Sequence, residues 1–101
     1  MDTTKLISDA KARFSHNSAK AYLKEKYNAK LLVAVQGGLW RADGPTIAHL
    51  SSFQSEKLVL IDTFDNPVEV DRTELLSTLT ETYEKVMADW YKEWKELESK
   101  R

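Results

Sequence analysis

From Arg72 to Arg101 the chain contains neither glycine nor proline. Its large apolar residues there (Leu75, Leu76, Leu79, Tyr83, Val86, Met87, Trp90, Trp94 and Leu97) recur at spacings of three and four. That period predicts an α-helix running to the C-terminus. Asp71-Arg72-Thr73-Glu74 in front of it resembles a capping box, an acidic cap with a glutamate three residues on. About 28 helical residues span roughly 40 Å, whereas strands of five or six residues reach only about 17–20 Å. The helix must therefore overhang any sheet the rest of the chain builds. Its far end carries Trp90, Tyr91 and Trp94. Rings at helical spacing, Tyr83 included, read as core or subunit interface before they read as a base-stacking platform, and self-association is the simplest way to cover them.

The remaining 71 residues are too few for a second core of ordinary size, so one domain is expected over residues 1–101. At 42% apolar and 31% charged the composition is that of a folded domain. The absence of cysteine excludes disulfides, thiolate nucleophiles and sulfur-ligated zinc. The longest apolar run, Leu31–Val35, is far short of the roughly 20 residues that span a bilayer. Met1-Asp2-Thr3-Thr4-Lys5 leads into no signal-peptide core, so a cytoplasmic protein with no membrane partner is expected. The net charge of −1 argues against a general polyanion binder. Bases nevertheless outnumber acids before residue 31, and acids outnumber bases after it. A basic face on the N-terminal segment is one reading of that asymmetry, a solvated helix face the plainer one.

The N-terminal helical segment spans residues 1–29. Between Lys5 and Tyr27 there is no glycine or proline, and Leu6, Ile7, Ala10 and Phe14 fall on one helical stripe. Ser15-His16-Asn17-Ser18 interrupts it with residues that prefer caps. One element with a weak point is favoured over a second helix ending near Asn28. Residues 30–71 change texture. Leu31–Val35 and Leu39–Ala42 flank Gln36-Gly37-Gly38 and predict a β-hairpin. Asp43-Gly44-Pro45 is a turn signal, and Thr46–Phe53 fits a strand or a helical turn equally well. Lys57–Phe64 and Val68–Asp71 predict a second hairpin around Asp65-Asn66-Pro67, its return strand alternating apolar with acidic so that one face is wet. Pro67, lacking an N–H, fits the loop or a strand's first residue.

No constellation supports catalysis, so a non-enzymatic protein without cofactor or metal is expected. His16 and His49 have no metal or triad spacing. Asp62, Asp65, Glu69 and Asp71 cluster around one hairpin and offer oxygens to a hard cation, yet turn-forming and solvated acids are the simpler reading. Gly37-Gly38 lacks the lysine of a phosphate-binding loop. Phe64 stands beside a turn, as a latch onto the domain or as an exposed stacking surface.

With Thr46–Phe53 counted as a strand, the order is one helix and then five strands. That order resembles the Sm-like (LSm, Hfq) fold, a short helix before a bent five-stranded antiparallel barrel. Leu32–Trp40 followed by Asp43-Gly44 is similar to the first Sm motif, and Leu58–Asp62, Thr63–Pro67 and Val68–Val70 to the second. The resemblance covers residues 4–71 and leaves out the long C-terminal helix; Asp62-Thr63 or Asp65-Asn66 stands where family members carry Arg-Gly. It implies a mostly β domain, residues 30–71 forming the sheet between helices 1–29 and 72–101. It also implies a closed homo-oligomeric ring of roughly five to seven subunits, strand four pairing with the neighbour's strand five. Family members bind single-stranded RNA through loops lining the pore. The resemblance thus assigns nucleic-acid contact to Arg41, Asp43, Gly44, Phe64, Asp65, Asn66 and Arg72, with Phe64 stacking, Asn66 hydrogen bonding and both arginines meeting phosphate. The Gly-Gly-Leu-Trp hairpin and the Asn66–Arg72 segment also resemble small proteins of tailed phages that infect marine cyanobacteria, implying a phage origin and a host cytoplasm. Two functions follow as expectations: a ring binding single-stranded RNA or DNA, or a phage interaction or virion-assembly module without nucleic acid.

Overall fold

The computed structural model describes residues 3–100, and side chains from residue 15 onward. Its elements are α1 (Thr3–Lys30), β1 (Leu32–Val35), β2 (Gly38–Arg41), α2 (Gly44–Ser51), β3 (Lys57–Ile61), β4 (Pro67–Asp71) and α3 (Arg72–Ser99). The strands form two separate two-stranded antiparallel sheets, β1-β2 and β3-β4. The expected five-stranded Sm-like barrel is not formed: among the described residues there are four strands and no closed barrel, and most of them are helical.

The missing strand is the reason. Residues 46–51 are part of α2, whose start is set by Asp43: extended at φ −110° and ψ 169°, it accepts the Thr46 N–H at 2.9 Å. Pro45 occupies the first turn, where its absent N–H costs no hydrogen bond. An acidic N-cap followed by proline is a helix start, and it outweighs the β-branched residues at 46 and 47. Without a third strand, nothing bridges the hairpins into one sheet. β3 and β4, the strands the resemblance would pair between subunits, pair with each other from Lys57↔Asp71 to Ile61↔Pro67.

The first hairpin turns through Gln36 (φ 51°) and Gly37 (φ 78°), with Val35 opposite Gly38. The turn residues are thus Gln36-Gly37, a tight two-residue loop with positive φ at both centres, and Gly38 already belongs to β2. The Gln36 side chain closes two hydrogen bonds to the end of β4, accepting from the Asp71 N–H at 2.7 Å and donating to the Asp71 carbonyl at 3.2 Å. Asp71 caps α3 through Glu74 N–H at 3.1 Å. The reciprocal half of the capping box is absent, because Gln36 takes the Asp71 N–H.

One helix runs through the Ser15–Ser18 weak point. The stripe Leu6, Ile7, Ala10 and Phe14 lies outside the described side chains. α1 and α3 are antiparallel: Tyr27 stacks on Trp90 at 6.0 Å, and His16 meets Glu98 at 3.2 Å. Helix α3 packs on α2, β4 and α1, meeting α1 through Trp90 and Glu98 in its second half. A head of two hairpins and α2 therefore sits at one end of a two-helix stalk, in a molecule 67 × 24 × 20 Å. Tyr27, Leu31, Trp40, Ala42, Leu50, Val70, Leu75 and Leu79 form a core where head and stalk meet. No described helix is long and apolar enough to cross a membrane.

Candidate functional site

One carboxylate ties the second hairpin's loop to the first hairpin. Asp62 is buried at the end of β3 and accepts the backbone N–H groups of Leu39, Phe64 and Asn66 at 3.1, 3.0 and 3.0 Å. The Asn66 N–H above all, then those of Leu39 and Phe64, hold this carboxyl below its ordinary value against the opposing effect of desolvation. Thr63 N–H donates to the Leu39 carbonyl at 3.0 Å. Asp62 is thereby engaged as a structural acceptor. Among the described residues no group of three or more His, Asp or Glu is placed to hold a metal ion.

The residues assigned to nucleic acid do not converge. Phe64 and Asn66 share an open groove of about 650 Å³ with the first hairpin's turn, Gln36, Gly37 and Gly38. Phe64 is 69% exposed, a ring at a loop tip and not a latch. Asp65 is exposed in the same loop at φ 63°. Arg41, Asp43 and Gly44 stand at the opposite end of β2 from that turn. Arg72 stands at the far end of β4, about 17 Å along the strand from the loop. Both arginines are occupied: Arg41 Nε lies 3.1 Å from Asp43 Oδ2, and Arg72 Nε donates to the Ser55 carbonyl at 2.9 Å. Burial works to raise the Asp43 carboxyl, and hydrogen bonds from Thr46 and Arg41 outweigh it, leaving it below the ordinary value.

Two features that the residue pattern did not single out stand out instead. The outward face of β3 carries Val59 and Ile61, 66% and 61% exposed, with Val59 opposite the exposed Glu69 of the return strand, whose predicted wet face this is. A groove of about 550 Å³ separates β3 from α2, lined by Trp40, Pro45, His49, Leu50, Phe53 and Leu60 among others. His49 meets the Phe53 ring edge-on at 4.9 Å and is the one titratable side chain in its lining. Among the described residues no backbone hydrogen bond reaches the edge of β3 that faces away from β4.

The stalk aromatics divide. Trp90 is covered within the chain by Tyr27, so α1 supplies the partner that the C-terminal helix alone lacked. Tyr91 and Trp94 stack on each other at 6.0 Å and stay outside, 59% and 37% exposed. Along the opposite flank Glu93 accepts from Lys26 Nζ at 2.7 Å and from the Tyr27 hydroxyl at 2.5 Å. Those two bonds, Lys26 first, hold the Glu93 carboxyl below its ordinary value. Comparison with known proteins finds no family whose model matches the chain, no similar curated protein and no similar solved structure.

Proposed function

We propose that the chain is a non-enzymatic protein-interaction module whose head takes up an extended peptide segment of a partner protein along β3. The unpaired edge of β3 carries this reading. A strand edge offers a row of N–H and C=O groups that an added strand satisfies. The groove beside it is walled by Pro45, Phe53 and Trp40 and has no lysine, arginine or carboxylate in its lining. Its size falls within the about 300–1,000 Å³ of ligand-accepting clefts. Such a wall favours apolar residues at alternate positions of the incoming segment. The nucleic-acid alternative loses its phosphate contacts to Asp43 and Ser55, which already hold the two arginines.

The test is selection from a displayed library of random peptides of about seven residues, near the length of one strand. Enrichment of alternating apolar sequences is expected, with loss of binding in Val59→Lys/Ile61→Lys. Failure to enrich any sequence would overturn the reading. So would saturable binding of single-stranded RNA that weakens between about 50 and 200 mM salt, the signature of phosphate contacts.

A further inference from the structure

We infer that the stalk is half of a four-helix bundle, completed by a second copy of this chain whose α1 lies across Tyr91 and Trp94. This surface is on the stalk and is independent of the head's peptide site. Two packed helices bury one stripe each and leave a flank open on either side. On one flank α3 presents Tyr91, Trp94 and Glu98, with Trp94 and Glu98 one turn apart. Lys20 lies 3.9 Å from Glu98 and so shares that flank, and Lys24, one turn further on, shares it too. Lys24 is exposed and has no ion-pair partner among the described residues. The flank is therefore an aromatic pair on one helix beside a lysine pair on the other.

Charge selects the occupant and its orientation. On this flank α1 carries Lys20 and Lys24, whereas α3 carries Glu98; Glu93 lies on the opposite flank with Lys26. A second copy related by a two-fold axis along the stalk sets its α1 over this α3 and its α3 over this α1. Each helix then has two antiparallel neighbours of opposite charge, in the up-down arrangement of four-helix bundles. A two-fold axis across the stalk would instead set α1 on α1 and α3 on α3, like charge on like. The first arrangement places the second copy's Lys24 beside the exposed Trp94 ring, where a cation is attracted by the ring face as Lys95 already is by Tyr91 at 5.2 Å, and puts both heads at the same end.

The experiment is sedimentation of the full chain over a concentration series, with Lys24→Glu and Trp94→Ser as variants of exposed stalk positions and helicity checked by circular dichroism. A dimer is expected for the parent, and dissociation at least about tenfold easier for each variant, a change of about 1.4 kcal/mol. Orientation is read separately. The chain has no cysteine, so Gln54→Cys in the head takes a single donor or acceptor dye. Strong energy transfer in a mixed dimer is expected, because the heads are neighbours. A monomeric parent, or variants that dimerise as tightly as the parent, would refute the proposal. A dimer without transfer would also refute it, since heads at opposite ends of a rod 67 Å long are too far apart.

Discussion

Replacing Gly38 by alanine tests the packing of the head at a single atom. A Cβ added at Gly38 meets Cζ2 and Cε2 of Trp40 at 2.7 and 2.9 Å, about 1 Å inside the 3.5–4.0 Å separation of carbons at contact. The indole has little room to withdraw. It is 5% exposed, and its Nε1 donates to the Val35 carbonyl at 2.9 Å. Overpacking of this kind costs about 1–3 kcal/mol, and for a chain of this size each kcal/mol shifts Tm by about 4–8 °C. Gly44 is the control, because an added Cβ there meets nothing within 4 Å and its φ is not positive. Gly44→Ala restricts the unfolded chain, but a Cβ before Pro45 disfavours the helical conformation held there, so the two effects oppose each other and the net change should be smaller than at Gly38. Urea and thermal unfolding followed by circular dichroism should therefore give a clearly larger loss at Gly38 than at Gly44 for two identical chemical edits. The Gly38→Ala penalty should also shrink in a Trp40→Phe background, where the clashing ring atoms are absent. A Gly38→Ala protein as stable as its parent, or a penalty unchanged in that background, refutes the reasoning.

Gln36→Ala removes both bonds to Asp71 while keeping a side chain at φ 51°. A loss of about 1–3 kcal/mol is expected in urea unfolding, with faster hydrogen exchange at the Asp71 amide. Leu79→Ala, at a side chain with no exposure on the inner face of α3, should cost about 2–5 kcal/mol in the same assay. Asp62 and Glu93 both have carboxyls held below their ordinary values. Their stabilisation is present above the unfolded carboxylate range of about 4 and is lost as pH falls through the lower folded values. Denaturation midpoints measured downward from neutral pH should thus drop in acid, and Asp62→Asn should flatten part of that drop.

Helix α3 and both hairpins are readable along the chain, because each is specified locally. A period of three and four over residues 75–97 admits one conformation, and apolar runs around turn residues admit another. Even α2 carried its signal, Asp43 with Pro45, but that signal competed with β-branched residues, and the count of strands went wrong with it. Where the elements go is another matter. That Trp90 is covered while Tyr91 and Trp94 are not depends on α1 folding back at residues 16–27, a contact between positions more than 60 residues apart. That Asp62 is a buried acceptor and not a solvated turn acid depends on Leu39, which reaches it only once the hairpins meet. The same holds for Gln36, whose side chain reads as ordinary turn polarity until β4 delivers the Asp71 backbone to it. Local propensity is written residue by residue, whereas the partner of a buried polar group or an aromatic face is chosen by the rest of the chain.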